Sequence, residues 1–285
     1  CKRVVMKSRG VVLFAHNNEL INYVRQAVFC AKQITMHLKL PVTLVSSTVD
    51  DISIEDHAVF DKIVTVEKQS TRNNKTYRDA RNKRVQGSWY NGDRSSVYDL
   101  TPYEETIVMD TDYIINNAQL LDCFNIDCSL QIWKGGTYIN SMAKFWRIAN
   151  VSDPSIEMYW ATVFYFKKNE RTRRFFNLVK HIKDNWTYYR YVYHIQPTNF
   201  RNDFAFSIAI HIMNGFSSEA EWPQPLPGEL YYSFDRDQLL DFKDNKFTVL
   251  LVDPKRQKNT VTTLPGESLH VMNKISLEKY LDGIE

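Results

Sequence analysis

Residues 103–117, YEETIVMDTDYIINN, are the stretch from which the fold of this chain can be worked out. Thr106–Met109 is a short apolar run with β-branched residues, which is typical of a buried strand. Asp110 and Asp112 follow it directly, separated by one residue. Because side chains alternate along a strand, residues two apart lie on the same side. The two carboxylates are therefore expected together at the carboxyl end of a buried strand, where open α/β sheets bind their ligands.

The Asp110-Thr111-Asp112 sequence allows two interpretations. Hard carboxylate oxygens at this spacing suit Mg²⁺ or Mn²⁺, and such a metal most often also holds the diphosphate of a substrate. An isolated DxD also occurs as a solvated junction between a strand and a turn. On these residues alone, both interpretations stay open.

The composition predicts a globular protein with a large core. The chain has 285 residues, of which 44% are hydrophobic, enough for one α/β domain with additions or for two small domains. No apolar window of about 18 residues occurs, so no membrane span is predicted, and the first residues lack the pattern of a signal peptide. The four cysteines are scattered, without metal-ligand spacing. They indicate reduced thiols and a cytoplasmic location, which would be the host cytoplasm if the protein is viral.

Positive charge is concentrated in two segments of the chain. Residues 68–94 and 167–190 each carry eight Lys or Arg against two acidic residues, although the net charge of the whole chain is only +3. The rest of the chain is therefore acidic, and the two segments predict contact with a polyanion. A solvated loop and a solvated helix face would account for the same charges.

The N-terminal region predicts a βαβ unit. Val11–Ala15 is a compact apolar strand, and apolar residues within Leu20–Ile34 then recur at helical spacing, with Asn17 or Asn18 as the expected helix cap. Pro41 ends the helix and a second apolar strand follows, so a parallel sheet with a right-handed crossover is expected. The absence of GxGxxG and GxxxxGK[ST] argues against a dinucleotide-binding Rossmann protein and a P-loop NTPase.

The later elements are predicted from shorter patterns. A third strand is expected at Lys62–Val66, a long functional loop over 67–102 and a buried strand at Met158–Phe166. The other expectations are a helix at Met142–Ile148, a basic helix from Asn169 to Trp186, a strand with Tyr189, Tyr191 and Tyr193 on one face, a helix begun by Asn199 or Asn202 with Asp203 in its first turn, and a less regular tail with a strand at Thr248–Val252.

These features together resemble the GT-A-fold glycosyltransferases, in particular the glycogenin-like group that uses nucleotide sugars. The resemblance rests on the βαβ start, on Asp110-Thr111-Asp112, on a later helix that opens with Asn202-Asp203, and on His270-Val-Met-Asn-Lys274. It implies one GT-A-like α/β catalytic domain over 1–285, with a mostly parallel, Rossmann-like central sheet flanked by helices and an irregular C-terminal extension. Residues 10–117 would be the nucleotide-binding half, and 118–285 the acceptor-binding half and the tail.

The resemblance also implies roles for individual residues. Asp110, Asp112 and His270 would bind Mn²⁺ or Mg²⁺, and Asp203, with Asn202, would lie at the reacting centre. Structural roles stay open for some of them: His270 as a hydrogen-bonded core residue, Asp203 as a charge that favours a helix N-terminus, and Arg94 as a partner of Asp93 or Asp99. The donor-binding residues implied by the resemblance are His16, Asn17, Arg94, Asp110, Thr111, Ala161, Thr162 and Lys274.

The implied reaction is transfer of a sugar from a nucleoside diphosphate sugar, in the first place a UDP-sugar, to an acceptor hydroxyl. The basic segments with interleaved Tyr and Trp would suit a nucleic acid, since cations neutralise phosphates and aromatic rings stack on bases. One such acceptor is a hydroxymethylated pyrimidine flipped out of modified phage DNA, while saccharide, lipid-linked and protein acceptors stay open. The alternatives are a transferase that releases pyrophosphate, and a non-catalytic nucleic-acid-binding or scaffold protein on the same fold. The sequence indicates no oligomeric state.

Overall fold

The computed structural model describes residues 9–49, 52–68, 73–79, 83–140, 150–151, 156–197, 199–217, 220–253 and 258–284. The predicted helix at Met142–Ile148 lies outside these ranges. The strands are β1 (Arg9–Phe14), β2 (Val42–Ser46), β3 (Lys62–Thr65), β4 (Asn74–Asp79), β5 (Lys83–Ser88), β6 (Glu105–Met109), β7 (Tyr113–Ile114), β8 (Leu130–Lys134), β9 (Thr137–Tyr138), β10 (Tyr159–Lys167), β11 (Tyr231–Ser233), β12 (Gln238–Lys243), β13 (Lys246–Asp253), β14 (Lys258–Pro265) and β15 (Leu269–Val271). The helices are α1 (Tyr23–His37), α2 (Ile54–His57), α3 (Val97–Leu100), α4 (Glu170–Asp184), α5 (Trp186–Val192), α6 (Asn202–Met213) and α7 (Lys274–Asp282), with 3₁₀ turns at Arg94–Ser96 and Gln119–Asn125.

A six-stranded mixed sheet in the order β3-β2-β1-β6-β10-β8 forms the centre of the fold. Strands β3, β2, β1 and β6 are parallel, and β10 is antiparallel to both of its neighbours, β6 and β8. Five of the six strands therefore point the same way. The predicted α/β fold with a mostly parallel central sheet is confirmed.

The central strands form because they are apolar almost without interruption. Five of the six residues of β1 and eight of the nine of β10 are buried, the pattern expected for strands that are covered on both faces. The predicted βαβ unit is confirmed, although its helix begins at Tyr23 and the residue that caps it is Asn22, whose side chain accepts from Arg25 N. The expected cap at Asn17 or Asn18 is therefore wrong. No helix among the described residues is long and apolar enough to span a bilayer.

The basic stretch after β3 contains a β-hairpin where a long loop was predicted. Strands β4 and β5 pair antiparallel, from Asn74 opposite Ser88 to Asp79 opposite Lys83. Tyr77 anchors the hairpin, because its ring is buried and its hydroxyl lies 2.9 Å from the hydroxyl of Tyr23. The sequence pattern missed the hairpin because charged side chains occupy many of its other positions, so no apolar alternation marks it.

The aromatic stretch and the tail also differ from prediction. Tyr189 and Tyr191 lie on α5, not on a strand, and the amide of Tyr193 donates to the carbonyl of Tyr189 at 3.0 Å. The tail is regular: β12, β13 and β14 form an antiparallel sheet that includes the predicted strand at Thr248–Val252, and α7 follows. Asp244 and Asn245 have positive φ in the turn between β12 and β13, as two-residue hairpin turns require.

The predicted basic helix and the helix that carries Asp203 are confirmed. Asn169 caps α4 with its side chain, which accepts from Thr172 N. Helix α6 begins at Asn202 and has Asp203 in its first turn, but its N-cap residue is Arg201. The side chain of Asn202 is therefore not used as a cap, and the expected cap at Asn199 or Asn202 is wrong.

Candidate metal-binding site and its cavity

The segment Asp110-Thr111-Asp112 joins two sheets. It leaves the carboxyl end of β6, where the amide of Asp110 donates to the carbonyl of Thr162 on β10 at 2.8 Å. It then continues into β7, which belongs to a second, four-stranded sheet in the order β7-β15-β11-β9. In that sheet β15 lies antiparallel to β7, and the amide of Val271 donates to the carbonyl of Asp112 at 2.9 Å. This pairing brings His270, distant in the sequence, to the two aspartates.

Asp110, Asp112 and His270 form a cluster that fits a divalent metal ion. Each offers one ligand atom, and these three atoms lie within 4.8 Å of one another. His270 Nε2 lies 3.3 Å from the Asp112 carboxylate, and its Nδ1 lies 3.5 Å from the hydroxyl of Thr162. Two carboxylate oxygens and an imidazole nitrogen are a donor set compatible with Mn²⁺.

Both carboxylates also face cations of the chain. Lys274, the first residue of α7, pairs with Asp112, and both side chains are buried. Burial alone would raise the pKa of the Asp112 carboxyl, but the charge of Lys274 and the contact with His270 hold that pKa well below its usual range. The Asp112 carboxylate is therefore stabilised in its ionised form, the form that binds a metal.

Arg94 is the second buried cation. Its guanidinium pairs with Asp110 and donates to the carbonyl of Ala161, so neither Asp93 nor Asp99 is its partner. Asp93 pairs instead with Lys183, at 3.1 Å. Burial lowers the pKa of Arg94 to about 10, which still leaves the guanidinium charged at neutral pH.

Lys75 on β4 adds an amine to this side of the site, and the sequence reasoning did not single it out. Its side chain lines the same cavity as Asp112 and Lys274. Burial and the nearby Lys274 lower the pKa of Lys75 well below its usual value. The sequence does contain one indication of its position: Lys75 and the buried Tyr77 are two residues apart, so on a strand they lie on the same face.

A cavity of about 500 Å³ holds these groups together. Asp203 reaches it from the first turn of α6, where its carboxylate accepts from the amide of Ala161 at 2.9 Å and pairs with Arg201 at 2.6 Å. The structure thus brings most of the predicted site residues to one place. They are Arg94, Asp110, Thr111, Asp112, Ala161, Thr162, Asn202, Asp203, His270 and Lys274.

His16 and Asn17 are not among the residues that line this cavity. His16 Nδ1 lies 2.9 Å from the Ser47 hydroxyl and accepts from the Ser47 amide, while the Asn17 side chain accepts from the amide of Val24 at 2.9 Å. Burial lowers the pKa of His16 to about 4, so its ring is neutral at physiological pH. The contacts that these two residues make hold the loop after β1 against β2 and α1.

The fold and the site together define an α/β protein in which an acidic, metal-compatible cluster and several cations share one cavity.

No family model matches the chain, and no curated protein matches it. Comparison with solved structures finds glycosyltransferases: an active-site mutant of LgtC, 11% identical, covers 92% of this chain and 86% of its own with a TM-score of 0.47. Apo GlyE of Streptococcus pneumoniae TIGR4 is 13% identical over 73% of this chain, with a TM-score of 0.42. Mouse xyloside xylosyltransferase 1 is 12% identical and covers 73% of this chain and 83% of its own, with a TM-score of 0.43.

The chain spans 44% of the length of GlyE. At these identities and TM-scores we infer function from the side chains of the site.

Proposed function

We propose that this protein is a metal-dependent glycosyltransferase that moves a sugar from a nucleoside diphosphate sugar to an acceptor hydroxyl. The observation that carries the proposal is the cavity in which Asp110, Asp112 and His270 lie within 4.8 Å of one another beside Lys274 and Arg94. A metal next to fixed cations neutralises the charge that develops on a diphosphate leaving group. The arrangement of residues 1–285 as one catalytic domain is part of the same proposal.

The cluster would hold Mn²⁺ or Mg²⁺ through Asp110, Asp112 and His270. A bound divalent ion would supply charge that neutralises the departing diphosphate. Lys274 and Arg94 add fixed positive charge at the same point, which stabilises the leaving group without reorganisation during the reaction. Lys75 offers further N–H donors to the phosphate oxygens from β4.

Asp203 is the residue we assign to the reacting centre. Its carboxylate is fixed between the Ala161 amide and Arg201, so it presents a fixed acceptor to the cavity. In this position it would orient a hydroxyl of the donor sugar or accept the proton of the acceptor hydroxyl. Asn202, the neighbouring residue on α6, would support it, and Thr111, Ala161 and Thr162 would line the donor pocket.

UDP is the nucleotide we propose first, and a thermal-stability panel tests it. Wild type and Asp112→Asn are melted with UDP, GDP, ADP and CDP, each with and without Mn²⁺. A ligand that binds only the native state raises the melting midpoint, so a Mn²⁺-dependent shift with one nucleotide, lost in Asp112→Asn, identifies the donor base. No shift with any nucleotide would remove the enzyme proposal and favour the non-catalytic binding protein.

DNA is an acceptor that only one of the two basic segments supports. In α4, Arg173 and Arg174 pair with Glu170, and Lys180 pairs with Asp184, so much of that charge is compensated within the helix. Strand β4 of the hairpin, in contrast, lines the cavity. A mobility-shift assay with duplex DNA over a salt series tests this acceptor, and absence of binding at low salt leaves saccharide, lipid-linked and protein acceptors as the alternatives.

A further inference from the structure

Buried polar atoms without partners are concentrated around the cavity. Across the described part of the chain, nine buried side-chain nitrogen or oxygen atoms have no hydrogen-bond partner, and five of them belong to residues that line the cavity. These five are Nδ2 and Oδ1 of Asn91, Oδ1 of Asn202, Nε1 of Trp160 and Nε of Arg94. Asn91 and Trp160 have no role in the function proposed above.

A buried polar atom without a hydrogen-bond partner destabilises the folded protein unless a ligand supplies the missing hydrogen bond. A buried donor or acceptor that lacks a partner costs about 1–3 kcal/mol, and native proteins leave few of them. Asn91 and Asn202 are each only 7% exposed, so bulk water does not supply the missing bonds. Their concentration in one cavity indicates that a bound molecule does.

A hydrogen bond places Asn202 next to Asn91. Asn202 Nδ2 donates to the backbone carbonyl of Asn91 at 3.1 Å, while Asn202 Oδ1 and both polar atoms of the Asn91 side-chain amide are buried without a partner. Trp160 stacks on Tyr232 with ring centroids 5.5 Å apart, so the direction of its indole N–H is fixed. Asp203 follows Asn202 in the chain and binds the amide of Ala161, the residue after Trp160. Asn91, Trp160 and Asn202 therefore belong to the part of the cavity lining that is next to Asp203.

Their chemistry matches hydroxyl groups. The set contains both donors, on Asn91, Trp160 and Arg94, and acceptors, on Asn91 and Asn202. A sugar hydroxyl donates and accepts at once, so neighbouring hydroxyls satisfy both kinds of atom. A phosphate group only accepts and would leave the two amide oxygens unmatched. The phosphates are thus expected at the Lys274 end, and the sugar at the Asn91 end.

We propose that Asn91, together with Asn202 and Trp160, forms the subsite that recognises the hydroxyls of the transferred sugar. The inference rests on the proposed function, because it assigns the sugar of the donor to this end of the cavity. It makes Asn91 a specificity-determining residue, and the ligand class of the subsite is a polyhydroxylated sugar unit.

The test compares each nucleoside diphosphate with its sugar conjugate by isothermal titration calorimetry. Wild type and Asn91→Ala are titrated with UDP, GDP, ADP and CDP and with the four corresponding glucose conjugates, in Mn²⁺ buffer. Asn91→Ala keeps the backbone carbonyl that Asn202 uses. We expect the variant to bind the glucose conjugate about tenfold more weakly than wild type and the free diphosphate unchanged.

A matched control is Gln131→Met. Gln131 also has a buried, unpartnered side-chain oxygen, but it does not line the cavity. This variant is expected to bind every ligand like wild type. If Asn91→Ala does not fold, Asn91→Leu is the second variant, since apolar replacement of an unpaired buried amide is close to neutral for stability.

The outcomes separate the two proposals. Wild type that binds none of the eight compounds overturns the proposed function and this inference with it. An Asn91→Ala variant that binds the glucose conjugate as tightly as wild type, or that weakens the conjugate and the free diphosphate to the same extent, overturns the sugar subsite and leaves the donor site standing. A loss restricted to the conjugate supports the subsite.

Discussion

The ion pair between Asp112 and Lys274 sets the clearest test of how the site is held together. Asp112 is 1% exposed and Lys274 7% exposed, so neither charge is solvated from bulk water. Asp112→Asn leaves the Lys274 ammonium buried beside a neutral amide. Removal of one partner from a buried pair typically costs about 3–5 kcal/mol. We therefore expect Asp112→Asn to lower the free energy of unfolding by at least about 3 kcal/mol.

The assay is urea unfolding at pH 7 as a double-mutant cycle. Lys274→Met is expected to cost less than Asp112→Asn, since Asp112 keeps the contact with His270 at 3.3 Å. The double variant should recover about 2 kcal/mol relative to Asp112→Asn, because it no longer buries a lone charge. Asp184→Asn in the exposed pair with Lys180 is the control, expected within about 0.5 kcal/mol of wild type.

Two results would refute this reasoning. One is an Asp112→Asn variant as stable as the Asp184→Asn control. The other is a double variant no more stable than Asp112→Asn alone, because the cost would then not come from the stranded ammonium. Both Asp112 variants should in addition lose any thermal shift with Mn²⁺, whatever their stability.

Three further predictions concern pH and packing. Burial lowers the pKa of His16 from 6.5 to about 4, so as pH falls the unfolded chain binds a proton before the folded chain does. The contribution of His16 to the free energy of unfolding therefore falls by about 3 kcal/mol between pH 6.5 and pH 4. Urea unfolding of wild type and His16→Gln over this pH range measures that loss. Burial raises the pKa of Glu278 from 4.5 to about 7, so the unfolded chain ionises first and stability is lost as pH rises over that window. Glu278→Gln should therefore be more stable than wild type by about 2 kcal/mol at pH 8, with no gain at pH 4 in the same titration. A Cβ at Gly10 would overlap the ring of the buried Tyr103, so Gly10→Ala should lower the free energy of unfolding by about 1–3 kcal/mol, and an unchanged urea midpoint would contradict that packing.

The central sheet was predictable because its signals are local. Val11–Ala15 and Thr106–Met109 are apolar runs with polar residues at their ends, and a strand buried on both faces produces that pattern by itself. The hairpin of β4 and β5 was not predicted, because charged residues occupy many of its positions and Tyr77 alone does not make a pattern of alternating apolar and polar residues. The tyrosines of α5 were predicted on a strand for another reason: a short aromatic run fits the period of 2 of a strand and the period of 3.6 of a helix equally well.

The residues of the site could be predicted only where they stand at the end of a strand that its apolar sequence reveals. Asp110 and Asp112 end a strand that the sequence reveals. His270 reaches them through the pairing of β15 with β7, a contact between distant segments, and only the family resemblance pointed to it. Lys75 and Asn91 belong to no motif, so their roles appear only once the cavity is assembled.

The pairing of charges in the cavity explains how the site combines burial with ligand binding. Asp110, Asp112 and Asp203 are each held by a cation of the same chain, Arg94, Lys274 and Arg201 respectively. These pairs offset the cost of holding three carboxylates in the cavity, of which Asp112 is buried and the other two are half-buried, before any ligand arrives. A divalent ion at Asp110 and Asp112 would compete with Arg94 and Lys274 for the same oxygens, and cations displaced in this way need a new anion. On the proposed function a diphosphate would supply one, so metal and diphosphate would strengthen each other's binding, and by thermodynamic reciprocity to the same degree. Carboxylates held by backbone amides would bind the metal as well but would lack this coupling.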